Sequence, residues 1–210
     1  SEGPVTTAVR TRRVSTIALV GLLVVGGLSF GARSTQGVLA GEPENLIGRL
    51  STRIDPATFP SITVDEEVMN WNHEIDVEGA QAIVLTLAEN LALEKQAILE
   101  GDGALLTAID HGDRLDAMQS RLRESSSIGR TVTDDYSIDR VRVSLLVPFG
   151  RQDGLSLGMI SEGTVTTEIR DANGTVVSSS SAPFKTMWAM RRATGSRWLI
   201  VAELPPTDRP

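Results

Sequence analysis

Apolar residues along this chain fall into three successive regimes. The first is unbroken: "VSTIALVGLLVVGGLSFGA", residues 14–32, carries no charge over 19 positions. Wound as a helix at about 1.5 Å per residue, it spans about 28 Å, close to the ~30 Å hydrocarbon layer of a bilayer. It also lacks the polar face that a helix buried in a water-soluble domain would show. The segment is therefore expected to cross a membrane once. The second regime is helical. In "EGAQAIVLTLAENLALEKQAILEGDG", Ile83, Leu87, Leu91 and Ile98, with Val84, Ala88 and Ala92, share a broad apolar face, and Glu89, Asn90, Glu94, Lys95 and Glu100 are read as lying mostly off it. Gly101 and Gly103 end this helix, and a second helical stretch follows through Leu105, Leu106 and Ile109, then Leu115, Met118 and Leu122, interrupted at Gly112.

The third regime has a period of two. In "IDRVRVSLLVP", Val141, Val143, Leu145 and Val147 alternate with Arg140, Arg142, Ser144 and Leu146, and further strand-like runs cover about 155–170, 175–192 and 197–204. Short connections at "RQDG", "DANG" and "TGSR" predict an antiparallel meander, with Asn173-Gly174 as a type I′ hairpin turn. Helices followed by strands read as an α+β domain with the helices across one sheet face.

Between the first two regimes, residues 33–76 contain Pro43, Pro56 and Pro60 and no sustained period, so they read as a stalk or linker, with Val68, Met69, Trp71 and Ile75 as candidates to dock on the body. The organisation is then a short basic tail at 1–13, a transmembrane helix at 14–32, the stalk at 33–76, an α+β domain at 77–205 and a tail at 206–210.

Charge orients this arrangement. Arg10, Arg12 and Arg13 precede the apolar run while Arg33 alone follows closely, which places the N-terminus in the cytoplasm and the domain outside, anchored in the plasma membrane. "VLA" at 38–40 also fits a signal-peptidase site before Gly41, so secretion after cleavage is the alternative. The chain carries a net charge of −7 although its tip is basic. An acidic body without a basic stripe excludes nucleic acid as a partner. With no cysteine, disulfides, thiolate nucleophiles and cysteine metal sites are excluded too.

The remaining chemistry is sparse. "GLSLG" at 154–158 has the spacing of a nucleophile elbow around Ser156, but its flanks are strand-like and no histidine follows residue 111. The same pattern recurs as "GLSFG" inside the apolar run, where Gly27 and Gly31 have the small-xxx-small spacing that lets two membrane helices approach and self-associate. "DHGDRLD" gathers Asp110, His111, Asp113 and Asp116, residue types that serve metal binding or acid–base work. Without a second histidine the set is incomplete, and helix-end charges with an amino-cap aspartate account for it. Phe184, Met187, Trp188, Met190 and Trp198 either line an apolar pocket or fill the core under the sheet. No cofactor and no metal ion is expected.

The helix ending in "LEGDGALLTAI", the second containing "DRLDAMQSRL", the successive strands and the closing "GSRWLIVAEL" resemble the membrane-anchored members of the nuclear-transport-factor-2-like and cystatin-like superfamily of bacterial envelopes, over about residues 77–205. The resemblance implies a cone-shaped half-barrel whose sheet wraps a helix and sometimes leaves a pocket, and a role in binding or assembly. The expectation is thus a non-enzymatic, extracytoplasmic interaction module of an envelope or transport complex, held in the lipid bilayer by 14–32 and facing a membrane or envelope protein, with homo-oligomerisation open. Because the superfamily includes enzymes with His/Asp pairs in the pocket, the alternative is a small-ligand binder or a hydratase- or isomerase-like enzyme using His111 and a nearby aspartate, with Asp113, Phe184, Trp188 and Trp198 around it.

Overall fold

The structure, a computed structural model, describes residues 59–146, 156–193 and 197–206. It is α+β, with a five-stranded sheet whose first strand precedes the helices and whose other four follow them. Strand β1 (Ser61–Val64) and helix α1 (Glu66–Trp71) come first. Helix α2 (Val77–Glu100) begins where the Asp76 carboxylate accepts the Gly79 N–H at 2.9 Å and ends at Gly101, which adopts a left-handed φ of 72°. Helix α3 (Gly103–Ile109) is capped by Asp102, whose side chain accepts from Ala104 N and Leu105 N, and α4 (Gly112–Ile128) follows after a two-residue break. Strands β2 (Thr131–Leu146), β3 (Ser156–Arg170), β4 (Val176–Arg192) and β5 (Trp198–Leu204) complete the chain.

The sheet order is β1-β2-β3-β4-β5, and β2 to β5 form the antiparallel meander that the period-two runs predict. The stalk boundary needs correction. Ser61–Val64 pairs in parallel with Arg140 to Val143, and Asp65 joins this edge to the sheet through its N–H on Val143 O and its carboxylate on Arg142 Nε at 2.7 Å. Val68 and Ile75 are buried in the core, whereas Trp71 is 46% exposed, so two of the four docking candidates hold the segment to the body. The domain therefore starts well ahead of residue 77.

One apolar core lies between α2 and the sheet, built from Ile83, Val84, Leu87 and Leu91 against Val141, Val143, Leu157, Met159, Trp188, Met190 and Ile200. A second cluster joins the end of α2 to α3 and α4 through Leu93, Ala97, Leu105, Leu106, Ile109 and Met118. The hairpin between β3 and β4 sits where "DANG" places it, but with a different turn. Gly174 N donates to Asp171 O, which centres the turn on Ala172 and Asn173, and Gly174 then takes a φ of 79° to close a three-residue loop. Asp171 favours this form because its carboxylate also accepts from Asn173 N and Thr175 N.

Gly163 marks a close approach. It sits opposite Ile138, beside the β2 bulge between Ile138 and Arg140, and a Cβ there would lie 2.0 Å from Ser137 O. Gly163→Ala is expected to cost about 1–3 kcal/mol, because backbone must shift to admit the methyl. A urea midpoint unchanged from wild type would contradict the strand separation described. At Gly158 the ladder runs in register with no bulge, and the absent side chain instead makes room for Ser144 Oγ and Met187 Sδ.

The expected membrane segment, with Gly27 and Gly31, lies outside the described residues. Among those described, no helix is long and apolar enough to cross a membrane.

Candidate functional site

The chemistry of the domain concentrates where α2, α3, α4 and β5 converge. Helix α2 brings Glu94 inward, 3% exposed, on the stripe formed by Ile83, Leu87, Leu91 and Ile98. Helix α4 supplies Arg114, whose Nε and Nη2 donate to the two Glu94 carboxylate oxygens at 2.8 and 2.6 Å. Its Nη1 reaches Glu203 of β5 at 2.7 Å, and its guanidinium carbon stands 4.9 Å from the centre of the Trp188 ring. The fork geometry of arginine suits this use: two donors for one carboxylate, one for another, and a flat face for the indole.

Asp110, at the end of α3, completes the cluster and is fully buried. Its backbone is fixed by Asp110 N on Leu106 O and by a parallel bridge to Ile200, with His111 N donating to Ile200 O at 2.9 Å. Neither of its carboxyl oxygens has a hydrogen-bond partner among the described residues, and the charge it meets there is that of Glu94. Burial first, then the charge of Glu94, hold Asp110 well above the usual carboxylate range, against the pull of Arg114. Burial works against the charge on Arg114, but Glu94, Glu203 and Asp110 outweigh it and raise its pKa further.

A second polar node lies further up α2. Asn90 is fully buried and donates to Trp198 O at 2.9 Å, while Arg197 Nη2 donates to Asn90 Oδ1 at 2.7 Å and lies 3.7 Å from Glu89. Burial raises the Glu89 pKa, partly offset by Arg197. The expectation that Glu89, Asn90 and Glu94 lie off the buried face is thus overturned. All three are buried, each with a partner from outside its own helix. The signal was present in the spacing, since positions 83, 87, 90, 94 and 98 continue one helical stripe regardless of residue type.

The residues named from sequence for a pocket sit at the start of α4 and on β4 and β5. His111 is half-buried at the start of α4 and engages β5 through its backbone, Asp113 is exposed on the first turn of α4, and Asp110 caps no helix start. Trp188 is fully buried, with Tyr136 edge-on at 5.4 Å, and Tyr136 also meets Phe184 edge-on at 5.3 Å. Trp198 packs against the same core from the start of β5. Burial raises the Tyr136 hydroxyl to about 12, assisted by the charges of Glu203 and Asp134. The gap between α2, α4 and β2, lined by Leu91, Glu94, Arg114, Met118, Thr133 and Tyr136 among others, measures about 10 Å³. That is the space of a single water at most. Ser156 is a buried strand residue paired with Leu146 and Arg191, not a turn residue between strand and helix. No group of three or more metal-ligating side chains gathers among the described residues.

The opposite sheet face carries a shallow cleft of about 200 Å³ lined by Ser61, Thr63, Arg140, Arg142, Glu162 and Lys185, with Val141 and Ile160. Its charges pair internally, Arg140 with Glu162 at 2.7 Å, Lys185 with Glu162 at 3.3 Å and Arg142 with Asp65 at 2.7 Å.

The buried acid predicts a pH dependence. With its folded pKa raised, Asp110 keeps a proton that the unfolded chain has released, so its contribution to stability is greatest at low pH and declines as pH rises above about 4 toward the folded value. Glu89, also raised, acts in the same direction. Asp134, which burial alone would raise, is instead held below the usual range by hydrogen bonds from Arg121 and Thr167, so it loses stability only at the acid end. Asp110→Asn is expected to gain on wild type as pH increases. Urea midpoints at about pH 5 and about pH 8 check this: a difference between the proteins that does not grow with pH would show Asp110 ionised in the fold.

No family model matches the chain, and no curated protein does. Among solved structures, the chain is similar to the intermembrane space region of the chloroplast protein ARC6, with 15% identity and a TM-score of 0.46, over 63% of this chain and 98% of that one.

Proposed function

We propose that this protein is a single-pass membrane protein, cytoplasmic at its N-terminus, whose α+β domain serves outside the membrane as a non-enzymatic interaction or assembly module of an envelope or transport complex. The domain corresponds in this reading to the nuclear-transport-factor-2-like and cystatin-like cone, and residues 14–32 supply the anchor. The observation that carries the reading is the occupied interior. Where an enzyme or ligand binder of that kind keeps a cavity, Trp188 is fully buried, Arg114 lies across its ring and the gap beside Arg114 between α2, α4 and β2 measures about 10 Å³. A domain packed in this way works through its outer surface.

The topology is tested by tagging each end and adding protease to intact cells, where cleavage of the C-terminal tag alone is expected. Loss of the N-terminal tag alone would reverse the orientation. The module reading is tested by mild-detergent purification of the full chain with mass spectrometry of what accompanies it. Stoichiometric recovery of one or more envelope proteins is expected; recovery of the chain alone from cross-linked and uncross-linked membranes would sink the proposal.

A further inference from the structure

Strand β4 is longer than the strand that covers it. β5 pairs only with Met187 to Arg192, so from Val176 onward β4 has β3 on one side and, among the described residues, no strand on the other. Every residue from Val176 to Pro183 is exposed, Val177 at 57%. Within this stretch, Ser178 to Ala182 runs in unbroken register against Ile169 to Val165, bounded by the bulge near Arg170 and by Pro183, a residue suited to sheet edges because it has no N–H to donate. The sequence "TVVSSSSAPF", 175–184, carries no charge.

The same sheet protects its other open stretch. β2 extends past β1 from Thr131 to Asp139, and there Asp134, Asp135 and Asp139 stand on the strand, with Asp134 held by Arg121 of α4 and Asp135 by Lys95 of α2. Charge and helix cover are the usual means of keeping an edge from pairing with another chain. Among the described residues, the β4 edge has no helix over it, and its window 175–184 carries no charge.

We infer that the β4 edge at Ser178 to Ala182 pairs antiparallel with the same edge of a second copy, joining two sheets across a two-fold axis. Two features select a second copy as the occupant. In a chain of net charge −7, two molecules repel over most of their surface, but a two-fold pairing here sets each residue against another from the same uncharged window. Strand addition by a foreign peptide draws its specificity from side-chain pockets beside the edge, and a run of four serines and an alanine offers none, leaving backbone pairing that a second copy satisfies equally. The inference rests on the surface-module reading above, because an anchor in a shared membrane raises the local concentration at which so small an interface forms.

The chain has no cysteine, so Ser179→Cys introduces a single thiol and any covalent dimer must join two copies. Full-length protein in its membranes is treated with a short bis-maleimide and resolved under denaturing conditions. Cross-linking at Ser179→Cys is expected to run at least about tenfold faster than at Ser126→Cys on the exposed face of α4. Adding Ser178→Asp and Ser180→Asp is expected to abolish it, by facing like charges across the axis, while leaving the thermal midpoint within a few degrees. Equal rates at the two thiols, or a rate indifferent to the aspartates, would overturn the pairing. A chain that fails both arms yet still recovers an envelope partner refutes the paired edge and leaves the module reading standing.

Discussion

Arg114→Ala is expected to lower the stability of the domain by about 3–5 kcal/mol, the range found when one member of a buried ion pair is removed. The arginine gives two hydrogen bonds to Glu94 and one to Glu203, and covers the face of Trp188. Without it, the Glu94 carboxylate, 3% exposed and beside Asp110, loses both of its arginine hydrogen bonds and the one ion-pair partner it has among the described residues. The cost is that of a stranded charge rather than of the pair itself. A variant that also replaces the acids, Arg114→Met with Glu94→Leu and Asp110→Asn, is therefore expected to recover most of the loss, since apolar packing often equals a buried pair. Arg114→Lys keeps the charge but not the fork and should fall between. Chemical denaturation reads all three. A midpoint for Arg114→Ala within about 1 kcal/mol of wild type would mean that water reaches Glu94 and that the cluster is not desolvated.

The elements of this fold were legible in the sequence wherever one rule operated alone. The Gly101 stop, the break at Gly112 and the alternation through Val141, Val143 and Leu145 each follow from local backbone or side-chain periodicity, and the structure places them as expected. Reading failed where residue type and position disagreed. Asn90 and Glu94 occupy core positions of α2, but a reading that sorts residues by polarity moves them to the solvent side, and their partners come from α4 and the start of β5, 20 and 107 residues away. β1 escaped because "SITV" is too short to establish a period and because its parallel pairing with β2 joins residues 79 apart. The hairpin at Asn173 was placed correctly and its turn misassigned, since Asp171, two residues earlier, competes for the backbone N–H groups that decide the turn type.

Trp188→Ala should carry a comparable cost, about 3–5 kcal/mol, because the indole is fully buried and the surrounding strands cannot close over its absence. Tyr136 loses its edge-on neighbour and Arg114 loses the ring under its guanidinium. The two substitutions should therefore not add: a cycle combining Trp188→Ala with Arg114→Ala is expected to show coupling of about 0.5–2 kcal/mol. Trp188 Nε1 has no hydrogen-bond partner, so Trp188→Phe removes volume without stranding a polar group and should cost clearly less than alanine. The alanine variant also converts a filled interior into a cavity shaped for one flat apolar molecule. Added indole, binding the folded form alone, should then raise its melting temperature with concentration, and should leave wild type unchanged because the fully buried Trp188 ring already fills that site. If wild type itself shifted with indole, the interior would hold a usable pocket. The ligand-binding alternative would then displace the surface-module reading, since that reading depends on the space beneath the sheet already being taken.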